Sequence, residues 1–168
     1  MKTRGFLKNQ RTQKGLLGRW YQLNNLRYLK LIKRIKKNEG FSSIPYKDQL
    51  GFLTIGYGHL ILSEEKYLIE TKPTKTKLEK LFIQDFKKAV KDYKKYLKKN
   101  TSNKKEEELL IEMIFQMGII KVLRFKSLLR NMKKKNKHLV CFEMMKSLWY
   151  NQTPKRVKEL IKVFLKNE

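Results

Sequence analysis

The chain is short of several things, and each shortage excludes something. Among its 168 residues there is one cysteine, Cys141, so no internal disulfide can form. Its two histidines, His59 and His138, are the only other soft metal ligands, and neither lies in an H-E-x-x-H or C-x-x-C pattern. A structural zinc site therefore lacks its ligands. No apolar run approaches the roughly 20 residues that a membrane-spanning helix needs. Residues 1–28 also lack the continuous apolar stretch of a secretory signal. Acid is scarce as well: 15 Asp+Glu stand against 41 Lys+Arg, a net charge of +26.

What is present is enough for a fold. Apolar residues make up 40% of the chain, so it is not wholly disordered. The length suits one compact domain or two small lobes around one cleft. The positive charge attracts any polyanion, whether nucleic acid, acidic lipid or an anionic cell wall. Taken alone it favours a nucleic-acid binder. Most of the excess is lysine spread along the chain, so part of it is compositional habit, and it says nothing about the fold.

Residues 1–24 read as an arm. They carry Lys2, Arg4, Lys8, Arg11, Lys14 and Arg19 and no acid; the first acid of the chain is Glu39. Such a segment is disordered extra sequence, a polyanion-binding arm or a transit segment. From about residue 25 a helical period sets in, with Tyr28, Leu31, Ile32 and Ile35 at i, i+3, i+4, i+7 and Gly40 as its stop. Residues 44–62 read as short strands with a turn at Asp48–Gly51, and Pro45 confines its strand to a sheet edge. Thr76–Lys99 reads as one long helix with Leu78, Phe82, Ala89 and Tyr93 on one face. A break at Thr101–Asn103 supplies caps. A helix follows with Glu106–Glu108 in its first turn, a buried face of Leu109, Leu110, Met113, Ile114 and Met117, and an end at Gly118. Shorter helices are predicted at about 125–134 and 137–147. Thr153-Pro154 then opens a last helix with Val157, Leu160, Ile161 and Phe164 inward. The predicted class is α+β and mostly helical: a small sheet-bearing lobe and a larger helical lobe joined by a long helix, with a cleft between them.

Several polar residues sit where stability alone does not want them. Glu39 lies on the apolar face of the first helix and at its C-terminus, and burial and the helix dipole both disfavour a negative charge there. A carboxyl so placed suits a general acid; a Glu paired with a nearby Lys is the plainer reading. Asp48 opens a turn, a common place for Asp. As a pair across a cleft, however, the two carboxyls match a glycoside-hydrolase arrangement, with Thr54 on the next strand able to help Asp48 hold a water. Asp85 interrupts the apolar face between Phe82 and Ala89 and needs a partner, for which His59 is a candidate. Arg156, in the first turn of the last helix, is unfavourable to the dipole. It either points to solvent or is held toward a carboxylate in the cleft. Phe115 and Gln116 lie off the buried face of their helix and are candidates to line a groove.

At these residues the sequence resembles the lysozymes of T-even bacteriophages, a glycoside hydrolase family. The resemblance rests on blocks in order: Asn38-Glu39-Gly40; Tyr46-Lys47-Asp48; Gly51 and Thr54 to Leu60; Glu79 to Asp85; Ile114 to Gly118; and Trp149 to Pro154 with Arg156. It covers about residues 29–167. It implies the phage-type lysozyme fold and cleavage of the β-1,4 bond between N-acetylmuramic acid and N-acetylglucosamine in bacterial peptidoglycan. By the same resemblance Glu39 corresponds to the general acid, and Asp48 and Thr54 to the residues that position the attacking water. His59 and Asp85 correspond to a structural salt bridge, Leu60, Phe115 and Gln116 to substrate-groove residues, and Arg156 to an arginine near the acid. No cofactor or metal is implied. Leu128 and Glu143 stand at two groove positions where the family has Ser and Asn. The segment between His59 and Asp85 is shorter than in the T-even enzyme.

The resulting expectation is a basic, flexible extension over 1–28 and a lysozyme domain over 29–168. Within the domain, the sheet lobe is expected over about 40–75, the connecting helix over about 76–99 and the helical lobe over about 100–168, together with helix 29–39. The expected partners are peptidoglycan and, by charge, anionic wall polymers. No specific nucleic acid and no membrane span are expected, and the protein is expected to be a monomer. The absence of a leader points to the cytoplasm of a host cell, with release to the wall through a separate pore, as for a phage endolysin. A virion-borne or cellular antibacterial lysozyme shares the same features. The rival of another class is a wall-binding module that kept the fold and lost turnover; intact Glu39, Asp48 and Thr54 argue against it.

Overall fold

The computed structural model describes residues 27–48 and 51–166; the arm over 1–24 lies outside them. The chain divides into two compact units, Met1–Lys37 and Asn38–Glu168. The described part of the first unit is helical. Helix α1 covers 27–39 and runs through the boundary. Tyr28, Leu31, Ile32 and Ile35 are buried, at the spacing read from the sequence. The helix stops at Gly40, whose φ of +72° is a left-handed conformation that glycine adopts without a Cβ clash.

The second unit continues with a three-stranded antiparallel sheet of order β1-β2-β3. The strands are β1 (Ser42–Lys47), β2 (Leu53–Gly56) and β3 (His59–Leu60). Pro45 lies on edge strand β1, as a residue without an N–H must. The ladder is irregular between Ser42 and Tyr46, and there the Ser42 hydroxyl bonds to the Ile44 backbone instead. Further on the register is regular, with Tyr46 opposite Thr54, Thr54 opposite Leu60, and Ile55 opposite His59. His59 is therefore part of the sheet and not just beyond it. Ile55 from the sheet, Leu68 from α2 (Tyr67–Glu70), and Leu78 and Leu81 from α3 (Lys75–Asp92) close a small core under this lobe.

Helix α3 is capped by the Thr74 hydroxyl, which accepts from Lys77 N. It is not one uniform helix to Lys99. Its last turns loosen into a π-helical turn, Tyr93–Leu97, and tighten into a 3₁₀ turn, Lys98–Asn100. Helix α4 (Lys104–Met117) begins at Asn103, whose side chain accepts from Glu106 N, while the Glu106 carboxylate accepts from Ser102 N at 2.6 Å. This reciprocal cap satisfies donors that a helix start leaves open. Leu109, Leu110, Ile111, Met113 and Ile114 are all buried, so α4 is enclosed on most of its circumference and is the axis of the helical lobe. Met117 is only half-buried.

After α4 come α5 (Ile119–Leu123), α6 (Lys126–Lys133), α7 (Lys137–Met145), α8 (Leu148–Gln152) and α9 (Pro154–Leu165). The short α5 has too few residues to show a period, and the sequence reading missed it. Thr153 precedes α9, but its hydroxyl donates back to Trp149 O and does not cap the helix; Pro154 at the first position defines the start. Val157, Leu160 and Phe164 are buried, and Ile161 is half-buried. The result is a mostly helical α+β architecture with a sheet lobe, a long α3 and a helical lobe. Among the described residues no helix is long and apolar enough to cross a membrane.

Gly118 joins α4 to α5 with φ +79° and ψ 156°, a region essentially closed to other residues. Nothing lies within 4 Å of where its Cβ would be, so any cost of a side chain there is backbone strain alone. Gly118→Ala is expected to destabilise the protein by about 1–3 kcal/mol, read from the midpoint of urea unfolding with an unchanged slope.

Candidate active site

The site starts where α1 ends. Glu39 occupies the last turn, and its Oε1 accepts from Arg156 Nη1 at 2.7 Å. The Arg156 side chain is 9% exposed and that of Glu39 20%; the cation is buried behind a carboxylate that solvent still reaches. Arg156 Nε also faces Glu112 Oε1 at 3.7 Å, and Asn38 Nδ2 donates to the same oxygen at 3.5 Å. Glu112, in the middle of α4, is fully buried. The guanidinium thus stands between two carboxylates, one buried and one at the surface. Its Nη2 finds no acceptor among the described residues. Arg156 sits in the first turn of α9 against the dipole because these two anions hold it there.

The other oxygen of Glu39, Oε2, lies in the lee of the β2–β3 turn. A Cβ on Gly58 would come within 3.4 Å of it, and Gly58 has φ +79°. Glycine suits this turn because of that positive φ, and a Cβ there would only touch the carboxylate. Asp48 closes the β1–β2 turn: its Oδ1 accepts from Phe52 N at 2.8 Å, and its own N–H donates to Phe52 O. Thr54, buried on β2, donates its hydroxyl to Tyr46 O at 3.2 Å. That leaves the hydroxyl oxygen as an acceptor. Asp48 and Thr54 are thus both fixed to the first hairpin by backbone bonds.

A cleft of about 650 Å³ runs alongside, lined by Gly58, His59 and Leu60 from the sheet lobe and by Phe115, Met117 and Gly118 from the end of α4, among others. Leu60 and Phe115 both line it. Gln116 is engaged elsewhere: its Oε1 accepts from Trp149 Nε1 at 2.9 Å, and its Nε2 reaches Thr153. Leu128 is buried in the core, and Glu143 faces Lys146 at 3.4 Å. Phe115 on the cleft wall ends a row of rings. Tyr57 packs on Phe41 and edge-on to Phe82, and Phe82 meets Phe115, with centroids 5.1, 5.2 and 5.4 Å apart. The Tyr57 hydroxyl donates to Glu79 at 2.8 Å. Burial first, and this carboxylate second, push its pKa up to about 12.

His59 and Asp85 do meet, Nδ1 to Oδ2 at 2.8 Å. The sequence reading missed the second partner: Glu65 Oε2 lies 3.0 Å from Nε2 and also accepts from Leu62 N. It missed Glu112 too, whose signal is a lone acid inside the apolar run Leu109 to Ile114. Glu79 was read only as part of a matching block, and Gly58 only as a hairpin glycine and part of another. No group of His, Cys, Asp and Glu suited to a metal occurs among the described residues.

The hydrogen bond to Asp85 raises the His59 pKa; desolvation opposes it, and the charge of Asp85 and the bond to Glu65 add to the rise. A raised folded pKa contributes stability that is complete below the unfolded value of about 6.5 and is lost as pH rises through the folded value. Unfolding free energy is therefore expected to fall on raising the pH above about 6.5. His59→Asn should flatten that slope and lower the midpoint most on the acid side, as read from urea titrations at several pH values.

Residues 36–163 match the Phage lysozyme family. Two proteins of Dictyostelium discoideum are similar over most of their length. Probable T4-type lysozyme 1 is 32% identical over 152 residues, covering 77% of this chain and 89% of that protein. Probable T4-type lysozyme 2 is 30% identical over 155 residues, covering 77% and 90%. With a family match over most of its length and relatives at 30–32% identity, the chain belongs to the phage lysozymes and is a glycoside hydrolase.

Proposed function

We propose that this lysozyme hydrolyses the β-1,4 bond between N-acetylmuramic acid and N-acetylglucosamine in bacterial peptidoglycan, with inversion, and serves as an endolysin-like wall-lysing enzyme. The observation that carries the reading is the Glu39 carboxyl, fixed by the buried Arg156 at 2.7 Å yet 20% exposed beside the β2–β3 turn. In this reading Glu39 gives its proton to the glycosidic oxygen as the C1–O bond breaks. A water attacks C1 from the opposite face and passes its proton to Asp48. Thr54 accepts one hydrogen bond from that water and so aims its lone pair. Solvent returns the proton from Asp48 to Glu39. Arg156 is a positioning residue that keeps the acid from turning away.

Inversion is favoured over retention by the choice of groups. A covalent glycosyl ester needs a carboxylate about 5 Å from the acid, whereas a water needs the two about 6.5–9.5 Å apart. Asp48 has a short side chain with one oxygen held to its own turn by Phe52 N. A neighbouring hydroxyl offers a water a second partner and offers an ester nothing. The net charge of +26 suits an anionic wall as the site of action.

Glu39→Gln is expected to lower clearing of isolated cell walls by at least about a hundredfold while the unfolding midpoint stays near that of the parent. A variant that keeps most of its activity would show that another group is the acid. NMR of the reducing end, recorded before mutarotation, is expected to show the α-anomer first. A β-anomer as first product would make Asp48 a nucleophile.

A further inference from the structure

Three cations line the cleft and take no part in the hydrolytic steps: Lys88 on α3, Lys121 on α5 and Arg124 just after α5. Two acids share the same wall. Asp85 is taken up by His59. Asp92 lies one turn beyond Lys88 on α3 and lines the cleft with it. The segment Ile119 to Arg124, which carries Lys121 and Arg124, contains no acid of its own. No ion pair joins either of them to a carboxylate among the described residues. Their spacing of three puts them side by side on one helical turn. That turn is anchored, because Val122 between them is fully buried, and its start is fixed by the special backbone of Gly118. On the same turn Ile120 is 70% exposed and Leu123 is 40% exposed. The surface offered is two cations among bare aliphatic side chains.

The cleft that holds these cations also includes Gly58, the residue that abuts Glu39 Oε2. An anion bound at α5 would therefore share this groove with a glycan that reaches past Gly58 to Glu39. The glycan backbone of peptidoglycan is neutral apart from what the muramic acid carries, namely a short peptide with free carboxylates and small alkyl side chains. We propose that Lys121 and Arg124 form a carboxylate-binding subsite for that peptide, with Ile120 covering its alkyl groups. This rests on the peptidoglycan reading above and adds a preference for walls whose peptide carboxylates are free.

The test uses soluble glycan oligomers with intact peptides in two forms: carboxylates free, and carboxylates converted to methylamides. Calorimetric binding and cleavage are measured for the parent chain and for Lys121→Gln/Arg124→Gln. The parent is expected to bind the free form about three- to tenfold more tightly, as two exposed charge contacts allow. The double variant should lose that preference, with KM raised by the same factor on the free form and kcat unchanged. Lys121→Glu/Arg124→Glu should reverse the preference. Equal binding of both forms by the parent, or a variant weakened equally on both, would overturn the subsite. So would competition by inorganic phosphate with no response to amidation. If neither form is cleaved while the charge preference persists, the hydrolytic reading fails and the subsite stands.

Discussion

The molecule turns on one guanidinium shared by two carboxylates. Arg156 reaches Glu39 across 117 positions of sequence, and it also faces Glu112, which is fully buried in α4. A buried carboxylate without a countercharge is costly, so Glu112 and Arg156 constrain each other to this place. Glu39 benefits from that constraint without having to be buried itself. The position of the acid is therefore set by the packing of α9 and α4. Pro154 fixes where α9 begins, and Val157, Leu160 and Phe164 hold its inner face.

The opposite wall of the site is held by different chemistry. The sheet lobe has only a small apolar core, completed by Leu78 and Leu81 of α3. Two further kinds of contact tie it to α3. One is ionic: His59 on β3 lies between Asp85 on α3 and Glu65 on the turn that follows the sheet. The other is the aromatic row Phe41, Tyr57, Phe82 and Phe115, which passes from the sheet lobe through α3 to the end of α4. The first link weakens as the imidazole loses its proton, whereas the second is indifferent to pH. Gly58 and Leu60, which border the cleft, lie beside residues that both links hold.

Much of this was legible in the sequence because the informative residues break local rules. Glu39 at a helix C-terminus, Asp85 on an apolar face and Arg156 in a first helical turn each conflict with dipole or burial preferences. Two of the three, Glu39 and Arg156, prove to be each other's partner; the third pairs with His59. Asn103 and Glu106 were readable as a cap because capping is local. What was not readable depended on contacts distant in sequence or on segments too short for a period. Gln116 lies off the buried face of α4 as expected, but its amide is spent on Trp149 and Thr153, two residues that periodicity cannot bring to it. Leu128 aligns with a groove position of the family and yet is buried, since α6 turns that position inward. The five residues of α5 show no repeat, and the π turn at Tyr93–Leu97 is a departure that helical spacing does not announce.

The charge of the chain and the chemistry of its cleft act on different length scales. A field from 41 basic residues draws the protein toward any polyanion, but at physiological salt it is screened within about 8 Å. It raises the encounter rate with a polyanion and cannot select a bond within it. Selection needs groups at contact distance whose geometry is fixed before the substrate arrives. In this chain the groups to which the proposed function gives that task stand on anchored backbone. Glu39 is held by a buried cation, Thr54 by a strand, Asp48 by its own turn and Phe115 by a ring stack. Most of the lysines, by contrast, lie exposed on helix surfaces. The long-range attraction thus rests on many exposed side chains whose exact placement is immaterial, whereas the groups proposed to discriminate stand on the few elements whose packing leaves them one arrangement.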